Sequence, residues 1–301
     1  MPLLSSLDQR AVVNALRGPG LRLVTPPFTV DIRSTYPIVA EGLMQLYGDY
    51  PLAGPDQFTD VQIAVRPHRR LFRPTCVFTS DGFQPFMPLS RPEAFALFEW
   101  GLNWCISSQQ HSYLIVHAAV LARPNGQAVI LPAPPGSGKS TLCAALSLRG
   151  WRLLSDELTL IDLDSGSIQP FPRPISLKNA SIDVIRDFAP DAHFGPEARN
   201  TVKGTIRHLR PGADAIAAGW QHAQPRWVVF PQYRAGAEAR LTRLGRAEGF
   251  MALAENAFNY LLLRERGFDA FARLVGNADM MRFEYARLDD AIATFAALSD
   301  D

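Results

Sequence analysis

From Ala133 to Thr141 the chain reads Ala-Pro-Pro-Gly-Ser-Gly-Lys-Ser-Thr, directly after the apolar run Gln127–Pro132 and directly before a segment of helical character. A buried strand, a glycine-rich turn and a helix start, in that order, are what a phosphate cradle requires. Gly136 and Gly138 allow the backbone to bend so that its N–H groups converge on phosphate oxygens. The helix N-terminus adds positive potential at the same point. Lys139 would reach the terminal phosphates and the Ser140 hydroxyl would ligate Mg²⁺. The expected nucleotide-contacting stretch is therefore Pro135, Gly136, Ser137, Gly138, Lys139, Ser140 and Thr141. One position departs from the strict pattern: Ala133 stands where a glycine is usual, which alanine tolerates only with a negative φ. A plain glycine turn would have no need of the Lys-Ser pair.

Asp156 follows Lys139 by 17 residues, at the end of a strand, with Glu157 next to it. Two adjacent acids can divide the labour, one holding the metal and the other accepting a proton from a hydroxyl. Ser140, Asp156 and Glu157 are thus the candidate metal set. A strand-end turn, where acids are common, is the simpler alternative. His117 lies in the middle of the apolar strand "LIVHAAV", on the strand before the loop's own. Adjacent pairing would bring it near the cradle, where it could orient or tune a carboxylate. As a residue by itself it reads first as a hydrogen-bonded core histidine. The chain has 27 Arg and three Lys, at 139, 178 and 203. An ammonium and a guanidinium are not interchangeable, so a lysine kept in so arginine-rich a chain marks a place where the compact cation fits best. For Lys178 and Lys203 the alternative of no special role stands equally.

These residues need a scaffold, and the composition suits one. Apolar residues make up 47%, charged residues 20%, and the net charge is +1. This is an ordinary globular balance. The one basic cluster, "RPHRRLFRP" (Arg66 to Pro74), is short and reads as a solvated loop or edge, so nucleic-acid binding is not expected. No apolar run approaches the roughly 18 residues that span a bilayer, and no basic n-region precedes an apolar block as in a signal peptide. Three cysteines without Cys-x-x-Cys spacing argue for a reducing, cytoplasmic setting and against a zinc site.

The pattern predicts a small N-terminal α+β region over residues 1–110 and a catalytic domain over 111–301. In the first, strands are expected at 27–33, 60–66 and 75–82, paired antiparallel, with a helix at 35–48. A second helix is expected at 91–108, where Pro92 suits the first turn. In the second, strands are expected at 112–122, 127–133, on both sides of Asp156-Glu157, at 204–210, 226–231, 238–244 and 281–287. Helices are expected from Lys139, over 247–258 and 260–274, and from Asp289. The fold class is α/β, α+β overall, with a mixed sheet.

The run "VHAAVL…GQAVILPAPPGSGKSTLCAALSLRGWRLLSDELTLI" resembles the catalytic domain of the HPr kinase/phosphorylase superfamily. It is especially similar to the HPr-kinase-related kinase A group and to the relatives that phosphorylate lasso-peptide precursors. "EWGLNWC", "RPISLKNASIDVI", "TVKGTIRH" and "PRWVVFP" have that group's texture. The resemblance is strongest from Ser112 to about Arg186 and looser towards the C-terminus, and the first 110 or so residues do not resemble the N-terminal domain of HPr kinase itself. Phosphoenolpyruvate carboxykinase is a more distant relative with a similar loop. The resemblance implies a P-loop kinase core, ATP and Mg²⁺ as cosubstrate and metal, His117 as an aid to the acid, and Asp156 as catalytic base or metal group. Glu157 stands where the family has Asp. The downstream Arg-Asn element of the reverse, phosphorolytic reaction has no match in "RPGAD" (Arg210 to Asp214), so forward kinase activity is expected. Lys178 and Lys203, and more weakly Arg173, could neutralise the transferred phosphoryl or anchor the acceptor.

The expected activity is phosphoryl transfer to a hydroxyl, on Ser or Thr of a peptide or small protein. A small-metabolite kinase and a nucleotide-binding regulatory module without transfer are the alternatives. The oligomeric state, homo-oligomer included, is open at this point.

Overall fold

A computed structural model of the chain describes residues 1–68 and 74–298. Of the basic cluster expected as a solvated loop or edge over Arg66 to Pro74, residues 66–68 end the strand Val61–His68, which pairs with Thr75–Ser80, and residues 69–73 lie outside the described residues. The chain opens with α1 (Gln9–Arg17), β1 (Leu21–Thr25), β2 (Phe28–Ser34), α2 (Pro37–Leu46), β3 (Val61–His68), β4 (Thr75–Ser80), β5 (Leu89–Ser90) and α3 (Ala94–Gln109). There follow β6 (Tyr113–Ala122), β7 (Gln127–Pro132), α4 (Lys139–Ser147), β8 (Arg152–Ser155), β9 (Leu158–Asp162) and β10 (Ile168–Gln169). Next come β11 (Ile175–Lys178), α5 (Ala180–Phe188), β12 (Ala198–Thr201), β13 (Gly204–Leu209) and α6 (Ala213–Ala217). The last part holds β14 (Gln224–Tyr233), β15 (Arg240–Arg243), α7 (Arg246–Glu255), α8 (Tyr260–Leu263), α9 (Glu265–Asn277), β16 (Asp279–Tyr285) and α10 (Leu288–Ala296). The class is α+β with mixed sheets. No helix among the described residues is long and apolar enough to cross a membrane.

The chain folds into two compact units, Met1–Gln109 with Ser176–Ala217, and Gln110–Ile175 with Ala218–Asp301. One division falls between residues 109 and 110, and 176–217 groups with the N-terminal residues and not with the loop-bearing unit. Arg210 explains part of this. Its guanidinium pairs with Asp49 at 2.6 Å, and the His208 ring packs edge-on against Phe95 at 5.6 Å.

In the first unit, five strands run in the order β1-β2-β3-β4-β5. The antiparallel layer read from the sequence needs correction at one junction, since β2 and β3 pair in parallel. Helix α2 lies between them and carries the chain back to the starting end, so the next strand must run the same way. Helix α3 lies close on β4: a Cβ on Gly101 would meet the Phe78 ring at 2.0 Å. The segment 176–217 adds a three-stranded sheet in the order β11-β13-β12.

In the second unit, one eight-stranded sheet runs β10-β9-β6-β7-β14-β16-β15, with β8 also paired to β6. Strands β7, β14 and β16 are mutually parallel, so their carboxyl ends share one rim. Leu114, Val116, Ala118, Val120 and Ala122 of β6 join a core with Leu253, Phe271 and Leu274. Side chains alternate along a strand, so Ile115, His117, Ala119 and Leu121 face the other layer. The single helix expected over 260–274 is broken at Arg264, whose φ is +52°. Gly267 then brings α9 back over α8, with no room for a Cβ beside the Tyr260 carbonyl.

Arg123 helps to tie the end of α10 to the sheet. Arg123 donates to the carbonyls of Phe295 at 3.0 Å and Leu298 at 2.8 Å. Its guanidinium also lies 4.7 Å from the Trp227 ring centroid and 5.3 Å from that of Trp151. Charged hydrogen bonds and cation–π contacts of this kind contribute on the order of 1–3 kcal/mol. Arg123→Ala is expected to cost about 2 kcal/mol in urea unfolding followed by tryptophan fluorescence, with Arg123→Lys in between. A cost under about 0.5 kcal/mol would show that the stack and the carbonyl contacts are incidental.

Candidate functional site

Strand β6 is the ruler of the site. On one edge it pairs with β7, Ala118 opposite Pro132, so His117 lies level with the start of the glycine-rich loop. On its other edge it pairs first with β8, Val120 opposite Ser155, and then with β9, His117 opposite Leu158. Asp156 and Glu157 are the bend between those two strands. The ladder therefore sets loop, histidine and acids side by side, although they are separated in sequence.

The loop leaves β7 at Ala133, which is buried and is not among the residues with positive φ. Its departure from glycine thus carries no backbone strain. Gly136 and Gly138 do need to be glycine, with φ of +88° and +86°. At Gly138 there is a second reason. A Cβ there would meet the Tyr285 hydroxyl at 2.5 Å and the Tyr233 Cβ at 2.9 Å. Tyr285 Oη donates to the Gly138 carbonyl at 3.0 Å, and the Tyr233 N–H donates to the Ser137 carbonyl at 2.9 Å. Two tyrosines at the ends of β14 and β16 thus hold the loop from one side; sequence reasoning missed both, and only their position at strand ends could have suggested them. Burial, and then the neighbouring Tyr233, push the Tyr285 hydroxyl well above its ordinary range.

Helix α4 begins at Lys139. Its side chain is only 7% exposed, and Nζ lies 3.2 Å from His117 Nε2. A buried ammonium requires a partner, and neutral imidazole can accept from it. The His117 ring also packs edge-to-face against Phe258 at 5.9 Å. One residue on, Ser140 Oγ donates to Asp156 Oδ2 at 3.2 Å. Asp156 is 4% exposed, and Glu157 beside it is half-buried. Cys143, one turn further along α4, is buried. Burial, and secondarily Asp156, raise its thiol well above the usual range.

Several features suit an anion and a metal. The first amides of a helix have no intrahelical acceptor. Those of α4 open onto a loop where a Cβ on Gly136 would meet nothing within 4 Å. Ser137 Oγ is buried and takes no hydrogen bond among the described residues. Pro135 has no N–H, so its expected contact with a nucleotide cannot be an amide one. Among the described residues no group of three or more His, Cys, Asp or Glu side chains is placed to hold a metal unaided. A hydroxyl and a carboxylate in hydrogen-bond contact suit Mg²⁺, which takes one or two carboxylates and completes its shell with phosphates and water.

Three candidates remain, Arg173, Lys178 and Lys203. Arg173 is buried, its guanidinium 5.3 Å from the Phe171 ring centroid. Lys178 and Lys203 belong to the first unit. Their turns abut there, because Asn179 exchanges backbone and side-chain hydrogen bonds with Thr205. Lys203 Nζ lies 4.9 Å from the Trp100 ring centroid.

No protein-family model and no curated protein sequence matches the chain, so a functional reading rests on this geometry.

Gly138→Ala combines left-handed strain with a clash against two tyrosines and is expected to cost about 2–4 kcal/mol in chemical denaturation. Gly136→Ala meets open space and should cost only about 1 kcal/mol; equal costs would show that the tyrosines do not confine the loop. The Cys143 thiol has a folded pKa above its unfolded value. Its contribution to stability is complete at lower pH and is lost as pH rises past the ordinary value of 9.0. Thermal melts between pH 8 and 10.5 should therefore fall less steeply for Cys143→Ala than for the unaltered chain.

Proposed function

We propose that this chain is an ATP- and Mg²⁺-dependent kinase that phosphorylates a hydroxyl, on Ser or Thr of a peptide or small protein, on a P-loop core of the HPr-kinase-like type. The observation that carries the reading is the paired contact of two neighbouring residues at one helix start. Lys139 meets His117, and Ser140 meets Asp156. A turn that only joined a strand to a helix would have no use for a buried ammonium and a buried carboxylate placed together.

The roles follow from chemistry. Amides from Gly136 to Thr141 and the Lys139 ammonium would hold the phosphates. His117 keeps that ammonium aimed along the loop. Ser140 and Asp156 would hold the metal, which when bound offsets the charge on the transferred group. The Ser140 bond favours Asp156 for the metal and leaves Glu157 to accept the acceptor's hydroxyl proton. In the balanced step, the acceptor oxygen gains the bond to the γ-phosphorus, the bridging oxygen leaves with ADP, and the proton passes to the carboxylate. Regulation by binding alone would not call for an acid pair. Lys178 and Lys203, on two abutting turns of the first unit, are given no part in this step. A cytoplasmic location belongs to the same proposal and rests on three buried free thiols.

Incubation with radiolabelled ATP, Mg²⁺ and candidate acceptor peptides tests the reading, and labelled acceptor is the result expected. Lys139→Ala should lose nucleotide binding. Asp156→Asn and Glu157→Gln should each reduce transfer by about 100-fold or more. The two should differ in a second readout: Asp156→Asn raises the Mg²⁺ concentration needed for half-maximal rate, and Glu157→Gln leaves it unchanged. Full transfer by both acid variants would remove the proposed chemistry.

A further inference from the structure

The parallel strands β7, β14 and β16 end on one rim, and in open α/β sheets ligands bind outside such carboxyl ends. The glycine-rich loop occupies the end of β7. The end of β14 is Tyr233, whose side chain the roles above do not use. Tyr233 is 52% exposed, whereas its neighbour Tyr285 is 1% exposed. Its ring stands edge-to-face on Tyr285 at 6.0 Å and 75°. Its backbone is fastened to the loop through the Ser137 carbonyl. The result is a rigid aromatic ring, half open to water, attached directly to the phosphate-binding loop.

The residues beyond it form a firm wall. The Arg234 N–H donates to the Tyr285 carbonyl at 3.0 Å and the Ala237 N–H to the Arg234 carbonyl at 3.1 Å, with Gly236 at a φ of +77° completing the turn. The Arg234 guanidinium meets Glu284 at 3.5 Å. Residues Arg234–Arg240 and Glu284 line an open depression of about 460 Å³, within the range of small-molecule sites, about 300–1,000 Å³. Its walls offer both donors (Arg234, Arg240) and acceptors (Glu238, Glu284).

We propose that Tyr233 is the stacking platform for the nucleobase of the triphosphate substrate, with the residues that follow it in the chain, Arg234 to Arg240, offering polar groups to the base edge. A planar, uncharged ring system attached to phosphates is the ligand that an exposed tyrosine beside a phosphate loop fits. The base is bound by its face, so the site tolerates different bases more readily than it tolerates loss of the base. This inference rests on the phosphate-binding reading of the loop, and the experiment separates the two.

Calorimetric titration of the full chain with ATP and with inorganic tripolyphosphate, both with Mg²⁺, is run on the unaltered protein, Tyr233→Ala and Tyr233→Phe. Base–aromatic stacking predicts that Tyr233→Ala weakens ATP binding about 5- to 100-fold. Tripolyphosphate affinity should stay within about twofold and Tyr233→Phe should retain ATP binding. If Tyr233→Ala binds ATP as well as the unaltered chain, or loses both ligands equally, Tyr233 is not a base platform, while the loop's phosphate role survives. If the unaltered chain binds neither ligand, the phosphate reading itself is overturned and the platform with it.

Discussion

Everything at the site depends on the hydrogen-bond ladder of β6. This strand is paired on both edges, so its register sets the distance between the glycine-rich loop on one side and the acid bend on the other. A slip of one residue would turn His117 into the α7 and α9 core and bury Ala118 against α4. Such a slip is opposed by the alternation of Leu114, Val116, Ala118 and Val120 with the opposite face, because every one of these apolar side chains would exchange environments. The geometry of the candidate site is here a by-product of core packing.

The outer half of β6 needs a different device. Strand β7 ends at Pro132, so the edge of β6 before Ala118 would be left open on that side. The segment Asn256–Asn259 covers it. Asn256 accepts from the His117 N–H at 2.7 Å, and Phe258 donates to Ile115 at 2.9 Å. The buried Asn259 side chain then acts as a surrogate strand, its Oδ1 accepting from Ile115 N–H and its Nδ2 donating to the Tyr113 carbonyl. Satisfying those buried backbone groups also sets Phe258 beside His117 and so fixes the histidine that meets Lys139.

The tyrosine pair at the opposite side of the loop works by exclusion. Tyr285 is held in the core by stacking on Phe283 at 5.1 Å, and its hydroxyl reaches the Gly138 carbonyl. With Tyr233 it leaves Gly138 no space for a side chain. The loop is therefore confined from both flanks, by β6 with His117 on one and by the ends of β14 and β16 on the other. A loop so confined pays little ordering entropy when it meets a ligand.

Local sequence was sufficient for the parts governed by neighbours in the chain. The glycines at 136 and 138, the helix start at Lys139, the strand at 113–122 and the bend at Asp156 follow from backbone preferences and from apolar alternation, which act over a few residues. So did most element positions, although α1 was missed despite Asp8 capping it through the Ala11 N–H, and so were β1, β5, α6 and the run β10, β11, α5 and β12. The parallel pairing of β2 with β3, the break at Arg264, the return of 176–217 to the first unit and the two tyrosines around Gly138 were decided by tertiary structure alone. Each depends on which remote faces become buried together, and burial is a property of the folded chain that no short window of residues contains.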